Sequence, residues 1–219
     1  MEKKNKLFFV AGVSLFAAFV LWTILICFVD VQAIGPQKSC VGFATLNAYI
    51  HDLTGVNMHL YVITDWLGLV PIGTAFCFAV LGLTQWIKRK SLLNVDRSIL
   101  ILGGFYIVVM AVYILFEIVV INYRPTLING YLEASYPSST TMLVMCVMPT
   151  AMIQLRARIK NNIFKQSILL LIALFIAFMV IGRLVSGVHW ITDIIGGALF
   201  SSAIVLIYYA ISNVTTKNY

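Results

Sequence analysis

The chain has 219 residues, of which 61% are hydrophobic and only 11% are charged, and its formal net charge is +7. Because a soluble domain carries roughly 25% charged residues, this composition excludes an ordinary soluble protein and favours a bundle of membrane-spanning helices. The basic residues lie in short loops between apolar runs. That distribution excludes the long basic surface of a nucleic-acid-binding protein, and we expect no nucleic-acid partner.

Six apolar runs are long enough to cross a bilayer, where a helix satisfies its own backbone. They cover residues 7–29, 58–87, 98–123, 137–155, 167–185 and 188–211. The first exceeds the ~7–15 residue core of a signal sequence, so we expect it to be retained. Asp65 and Pro71 interrupt the second run and Pro149 the fourth, which predicts kinked or tilted helices. The sequence therefore predicts an all-α polytopic membrane protein, a single six-span domain over residues 1–219.

The first two runs are separated by the longest loop, which contains an apolar stretch over residues 41–50. This stretch predicts an interfacial helix on the outer membrane surface.

With the N-terminus inside, twelve of the fifteen Lys and Arg residues fall on the cytoplasmic side, and Lys38, Arg124 and Arg183 fall outside. The positive-inside rule therefore predicts that both termini are cytoplasmic. An arginine on the unexpected side of a membrane needs a reason, and a bound anion is one.

Three polar clusters lie where spans meet the outer surface. The first is Asn122-Tyr-Arg124-Pro125, in which Arg124 follows Glu117 by seven residues, or two turns on one face of a helix. Arg124 either holds a phosphate or anchors the third span at the interface, where Pro125 ends the helix. The second cluster runs from Tyr136 to Thr141. Pro137 suits the first turn of the fourth span.

Ser138, Ser139 and Thr140 suit the N-terminal cap of that span. A capped helix N-terminus binds anions readily, although a cap and nothing more is the better explanation of this cluster taken by itself.

The third cluster joins the last two spans and contains Arg183, Gly187, His189 and Asp193. His189 and Asp193 are four residues apart and hence on one face of a helix. The carboxylate can fix the imidazole tautomer and leave the other ring nitrogen free as a nucleophile or base. Arg183, before the break at Gly187, can offer a bidentate fork to a phosphate. The alternative is an ordinary His–Asp pair at a helix start, with Arg183 reaching to lipid head groups.

This order of segments resembles the type 2 phosphatidic acid phosphatase family, whose fold is shared with vanadium haloperoxidases. That family has six spans and three signature segments: Lys-x6-Arg-Pro, Pro-Ser-Gly-His and Ser-Arg-x5-His-x3-Asp. The resemblance covers residues 117–197, and the third segment matches at Arg183, His189 and Asp193, with Gly182 in place of the leading Ser.

The resemblance implies that His189 attacks phosphorus and that Asp193 orients it. It also implies that Arg124 and Arg183, together with the Ser138–Thr140 helix end, bind the phosphate. Arginines and helix amides then stabilise the transferring group, so we expect no metal and no cofactor.

Two positions depart from the family pattern. Glu117 occupies the place of the family lysine, and Thr140 that of the second histidine, which protonates the leaving group. A threonine hydroxyl is too weak an acid for that step, which is typically worth ~10²–10⁴ in rate. Glu117, if protonated near the bilayer, is a candidate proton donor. Further candidates are Glu133, His51 and His59.

The function implied by the resemblance is hydrolysis of a lipid phosphate or pyrophosphate at the extracytoplasmic leaflet through a phosphohistidine. The alternative is a catalytically impaired family member that binds lipid phosphates as a sensor, transport component or partner subunit. The departures at Glu117 and Thr140 favour the second reading, and the intact third segment favours the first. A channel or ion-coupled transporter is disfavoured, because its polar groups would lie near the bilayer midplane. We expect a bacterial plasma membrane, with the site facing outside and the bilayer and a lipid phosphate as partners.

Overall fold

The computed structural model describes residues 2–215, and every regular element within them is helical. The α-helices are Glu2–Phe28 (α1), Ala44–Thr54 (α2), Met58–Leu67 (α3), Leu69–Arg89 (α4), Arg97–Ile118 (α5), Ser139–Arg158 (α6), Asn162–Val185 (α7) and Ile191–Thr215 (α8). Two short 3₁₀ turns cover Pro36–Lys38 and Leu92–Asn94. The predicted all-α fold is confirmed.

Six helical stretches of residues 2–215 are long and apolar enough to cross a membrane: α1, the pair α3 and α4, α5, α6, α7 and α8. The second stretch is broken at Gly68, between α3 and α4. This break lies between Asp65 and Pro71, the residues that predicted an interruption. Pro149 lies within α6, which continues as a helix on both sides of it.

The third predicted span is too long at its outer end. Helix α5 ends at Ile118, whereas the apolar run continues to 123. Beyond Ile118 the chain enters a loop, 119–138, whose two halves pair with each other. Arg124 N donates to Glu133 O at 3.1 Å, and Ser135 N donates to Asn122 O at 2.9 Å. These backbone bonds replace the helical ones that would have extended α5.

Successive spans run in opposite directions, so the longer loops gather at one end of the bundle. Residues 29–57, 119–138 and 186–190 lie at this end, which we call the outer face in keeping with the predicted orientation. The opposite end holds residues 90–96 and 159–161, together with both ends of the described chain.

Helices α6 and α8 form the centre of the bundle. Helix α8 packs along α1 and α6, and α6 also contacts α4, α5 and α7. Half of the most apolar stretch of α6 and of α8 is buried (50%), against 11–28% for the other spans. The main apolar cluster joins α1, α5, α6 and α8 through Phe19, Ile26, Val109, Tyr136, Met142, Cys146, Phe200 and Ile204. The outer ends of the two central helices are therefore held firmly in place.

The long outer loop contains α2, a helix at the place where the sequence predicts an interfacial one. Its buried Asn47 donates from Nδ2 to Gly42 O at 2.8 Å and to Thr192 Oγ1 at 3.0 Å, which ties α2 to the first turn of α8. Leu46, Tyr49 and Leu53 on the opposite side of α2 are exposed. An exposed apolar side suits the headgroup region, and the position of α2 on a membrane surface stays a prediction.

Candidate functional site

The turn between α7 and α8 brings the third cluster together. Gly187 has φ +66°, and a Cβ there would lie 1.9 Å from Gly55 O, so no other residue fits this close approach of two backbones. Helix α8 begins only at Ile191, which leaves His189 in the turn. The predicted placement of His189 and Asp193 on one helical face is therefore wrong.

His189 and Asp193 are linked through Ser135. His189 Nδ1 lies 4.0 Å from Asp193 Oδ2, beyond hydrogen-bond distance. Ser135 Oγ lies between them, 3.0 Å from Nδ1 and 2.5 Å from Oδ2. The sequence predicts a direct His–Asp hydrogen bond. The structure has two hydrogen bonds in its place, and both are made by the hydroxyl of Ser135 in the 119–138 loop.

The Asp193 carboxylate is fully buried and is surrounded by donors. Besides Ser135, Oδ2 accepts from Trp190 N at 3.0 Å, and Oδ1 accepts from Asn122 Nδ2 at 3.2 Å. The Asp193 backbone carbonyl accepts from Ser138 N at 3.1 Å. Hydrogen bonds from several donors stabilise the charged form of a buried carboxylate. Asp193 thereby joins α8 to the segment that leads into α6.

Arg183 is buried in the last turn of α7, and its terminal nitrogens are bound by α3. Nη1 donates to Tyr61 O at 3.3 Å and to Thr64 Oγ1 at 3.2 Å, and Nη2 donates to Asp65 Oδ1 at 3.2 Å. The guanidinium also lies 4.8 Å from the centroid of the Tyr61 ring. Its Nε is buried without a hydrogen-bond partner. Arg183 is thus held rigidly, and its Nε–H is left without an acceptor.

Arg124 lies in the 119–138 loop, next to Glu133. Its Nε is 3.2 Å from Glu133 Oε2, which is close enough for an ion pair. The N–H is not directed at the carboxylate, however, and both Nε and Nη1 are buried without a hydrogen-bond acceptor. The side chain of Glu133 is 42% exposed, whereas that of Arg124 is 10% exposed. Glu133 therefore offsets part of the arginine charge and leaves its donors free.

Nε2 of His189 is buried without a hydrogen-bond partner, as are Nε and Nη1 of Arg124 and Nε of Arg183. Burial lowers the pKa of His189 well below 6.5, and the positive charges of Arg124 and Arg183 lower it further. The ring is therefore neutral at pH 7. A neutral imidazole with a free ring nitrogen, close enough to two arginines for their charges to lower its pKa, can act as a nucleophile toward an anion.

The start of α6 differs in register from the prediction. Ser138 is the N-cap, with its Oγ accepting from Thr141 N at 3.5 Å, and Pro137 precedes the cap instead of occupying the first turn. Ser138 also donates its N–H to Asp193 O, so its backbone N–H and its side-chain oxygen are both already hydrogen-bonded. Ser139 and Thr140 lie in the first turn, where N–H groups have no intrahelical acceptor. The predicted phosphate-binding serines thus differ, since Ser138 is committed to structure and Ser139 is not.

Glu117 is exposed in the last turn of α5, and it lines a small depression with Ser135 and Ser139. The predicted placement of Glu117 and Arg124 on one helical face is wrong, because α5 ends at Ile118. The structure brings Glu117 to the edge of the site without bringing it into contact with His189. Of the other predicted donors, His51 places Nε2 3.2 Å from Gly187 O.

Ser135 and Asn122 are the site residues that sequence reasoning gave no role. Both touch Asp193, and both belong to the paired halves of the 119–138 loop. Asn122 lies within the first polar cluster, two residues before Arg124, and Ser135 lies just before the second, two residues before Pro137. Proximity to those segments was the available signal.

Comparison with known proteins agrees with this geometry. Residues 119–217 match the PAP2 superfamily. The fold matches the crystal structure of the first transmembrane PAP2 type phosphatidylglycerolphosphate phosphatase from Bacillus subtilis, with a TM-score of 0.50 and 20% identity over 94% of this chain and 96% of that one. A search of curated proteins finds no match. The match to the PAP2 superfamily covers 99 of the 219 residues, a range that includes Arg124, Ser135, Arg183, His189 and Asp193, and the structural match shows a shared fold.

Proposed function

We propose that this protein is a membrane lipid phosphatase that hydrolyses a lipid phosphate or pyrophosphate through a phosphohistidine on His189. The supporting observation is a set of buried, unpartnered nitrogens: Nε and Nη1 of Arg124, Nε of Arg183 and Nε2 of His189. Buried donors rarely lack acceptors unless a ligand supplies them. Three arginine donor nitrogens at the same site as one nucleophilic ring nitrogen suit a phosphoryl group.

In the proposed reaction the Nε2 lone pair of His189 forms a bond to phosphorus as the bond from phosphorus to the leaving oxygen breaks. Arg124, Arg183 and the first-turn amides of α6, at Ser139 and Thr140, stabilise the negative charge on the phosphoryl oxygens. Water then attacks the phosphohistidine, which releases phosphate and restores the imidazole. Asp193 stabilises the positive charge that the imidazole carries in the intermediate.

The proton for the leaving group is the step that the altered segments leave open. Thr140 is too weak an acid, and Glu117 at the edge of the site is the candidate donor. A pyrophosphate leaves as a stable phosphate anion and depends less on protonation than an alcohol does. A mutation of Glu117 should therefore slow release from a phosphate monoester more than release from a pyrophosphate.

The lipid nature of the substrate is supported by the six spans and by the structural relative, which is itself a phosphatidylglycerolphosphate phosphatase. We propose that the site faces the extracytoplasmic leaflet, with both termini cytoplasmic, because twelve of fifteen basic residues then lie inside. We also propose that residues 1–219 form one domain and that the host membrane is a bacterial plasma membrane.

The decisive experiment measures phosphate release by purified protein in detergent. The substrates are phosphatidylglycerolphosphate, phosphatidic acid and a polyprenyl pyrophosphate, and wild type is compared with His189→Ala. We expect release by wild type and at least a 10³-fold loss in the variant, because removal of the nucleophile leaves only the binding groups. Ser201→Ala, a buried truncation further along α8, is the control and should keep wild-type activity.

The alternative function, phosphate binding without turnover, gives a different result in the same experiment. Wild type would release no phosphate from any of the three substrates, yet would bind them with an affinity that falls in Arg124→Gln and Arg183→Gln. That outcome would contradict the proposed hydrolase and support a lipid-phosphate binding protein.

A further inference from the structure

We propose that Ser135 is the positioning residue of this site, holding His189 in the tautomer whose Nε2 lone pair faces the phosphate. The inference rests on the proposed function for its catalytic meaning and on geometry for its structural content. Ser135 Oγ lies 2.5 Å from Asp193 Oδ2 and 3.0 Å from His189 Nδ1, whereas Nδ1 and Oδ2 are 4.0 Å apart. Without the serine, His189 Nδ1 and Asp193 Oδ2 are too far apart to form a hydrogen bond with each other.

The direction of each hydrogen bond follows from the number of protons available. An ionised carboxylate only accepts, so the single hydroxyl proton of Ser135 is donated to Asp193. The serine oxygen is then left as an acceptor toward His189. Nδ1 must therefore carry the ring proton, which leaves Nε2 unprotonated. This is the ring nitrogen that is buried without a partner in the structure.

Ser135 cannot easily turn away from this arrangement. Its side chain is buried, its backbone N–H donates to Asn122 O at 2.9 Å, and it is followed by the buried Tyr136. Asn122 in turn donates to the other oxygen of Asp193. The paired halves of the 119–138 loop therefore hold the hydroxyl in one position, between the nucleophile and its carboxylate.

The same arrangement serves the transfer step without moving a proton along the chain of hydrogen bonds. When Nε2 bonds to phosphorus, the ring becomes positively charged and Nδ1 keeps its proton. The hydroxyl dipole of Ser135 presents its negative end to that ring and its positive end to Asp193, so the carboxylate charge acts on the imidazole through the serine. The leaving oxygen takes its electron pair from the broken bond to phosphorus.

Ser135→Ala tests the proposal by kinetics. We expect kcat to fall about 10- to 100-fold, as for other residues that orient a histidine from its second nitrogen, while KM changes less than twofold. Ser135→Thr keeps the hydroxyl and should restore most of kcat. The control is Ser201→Ala, which removes another buried serine hydroxyl, one that donates to Met142 O.

The tautomer itself is measured by ¹⁵N NMR of protein labelled at its three histidines. A ring nitrogen with a proton and one with a lone pair resonate far apart, and His189→Gln identifies the signals of His189. We expect the Nδ1–H form alone in wild type and a mixture with the Nε2–H form in Ser135→Ala. This readout needs no substrate, so it tests Ser135 even if no phosphatase activity is found.

Two results would overturn the proposal. One is a wild-type kcat in Ser135→Ala, which would mean that His189 reaches Asp193 directly once the serine is gone. The other is an Nε2–H signal for His189 in wild type. Loss of activity in Ser135→Ala that Ser135→Thr does not restore, with an unchanged tautomer, would assign Ser135 to folding alone and would equally contradict the proposal.

Discussion

At the scale of single residues, the charge state of His189 follows from its surroundings. Burial and the nearby positive charges of Arg124 and Arg183 lower its pKa well below 6.5. Because the pKa is lowered, the neutral nucleophile is present above that depressed value and is lost only when the pH falls through it. The imidazole, our proposed nucleophile, therefore stays neutral under mildly acidic conditions in which an ordinary histidine is protonated.

We predict that, in ¹⁵N NMR of the free protein, the signals of His189 do not shift when the pH is lowered from 8 through 6.5. Arg124→Gln removes one positive charge and should raise the pKa of His189 toward 6.5. The measurement is made without substrate, so that ionisation of the substrate's phosphate group does not affect the result. Titration of wild-type His189 at or above 6.5 would contradict the electrostatic account.

We predict that Glu133 competes with the substrate phosphate for Arg124. Its carboxylate lies 3.2 Å from Arg124 Nε and is 42% exposed, so the pair is a partly screened one. We predict that Glu133→Gln lowers the KM for a lipid phosphate about two- to fivefold, which corresponds to the ~0.5–1 kcal/mol of a half-exposed ion pair. Steady-state kinetics on vesicles of fixed composition would measure it.

The control for Glu133→Gln is Asp52→Asn, which removes one exposed negative charge from α2 on the same outer face. If both variants lower KM equally, the effect is one of overall charge and not of competition at Arg124. A rise of KM in Glu133→Gln would show instead that Glu133 holds Arg124 in position for binding.

The sequence predicts Arg124, Arg183, His189 and Asp193 as site residues, and the structure links His189 to Asp193 through Ser135, which the sequence did not predict. Arg183, His189 and Asp193 follow one another across a single turn, so their spacing alone brings them together. Ser135 reaches Asp193 only because the 119–138 loop folds back on itself. That pairing depends on backbone hydrogen bonds between residues with no distinctive pattern, and no motif encodes it.

At the scale of helices, α6 carries a polar stripe through the centre of the bundle. Cys146, Thr150 and Gln154 follow at intervals of four, which places them on one face. Thr150 Oγ1 lies 3.1 Å from Tyr106 OH. Gln154 Nε2 donates to Tyr208 OH at 2.6 Å. In a membrane, where apolar contacts hardly favour association, such bonds help to join α6 with its neighbours.

We predict that Gln154→Leu lowers the free energy of unfolding in mixed micelles by about 0.5–1.5 kcal/mol, the range for interhelical hydrogen bonds. Phosphatase activity per folded molecule should stay unchanged, because Gln154 lies about 24 Å along the helix from Ser138. Gln166→Leu, on the exposed side of α7, is the matched control and should leave stability unchanged. Equal stability of both variants would show that the stripe does not hold the helices together.

Helix ends are where hydropathy patterns mislead. Val119, Val120 and Ile121 continue the apolar run of the third span, yet α5 stops before them at Ile118. The chain leaves the helix because the residues that follow form backbone hydrogen bonds within the 119–138 loop. A hydropathy pattern contains no information on such bonds. The break in the second span was predictable, because Asp65 and Pro71 mark it in the sequence.

At the scale of the whole molecule, the six spans and the all-α architecture follow from composition and length and are confirmed. The resemblance suspected from the order of three short segments agrees with the match of residues 119–217 to the PAP2 superfamily and with the shared fold. A lipid bilayer explains why so much could be predicted: a spanning segment must be helical, so counting apolar runs gives the elements. Counting apolar runs does not give the orientation of the chain across the membrane. The distribution of basic residues predicts that orientation, and a labelling experiment can test it.

Cys40 provides that experiment, because it is exposed in the loop 29–57 on the same face as His189. We predict that a membrane-impermeant maleimide labels Cys40 in right-side-out membrane vesicles. Cys27, exposed near the same end of α1, is first replaced by serine, so that Cys40 is the thiol in water at this face. The same reagent should label Lys160→Cys, in the loop between α6 and α7, only after permeabilisation. The reverse pattern would place Arg124 and Arg183 on the cytoplasmic side and would contradict the proposed extracytoplasmic site, since the two loops lie at opposite ends of one bundle.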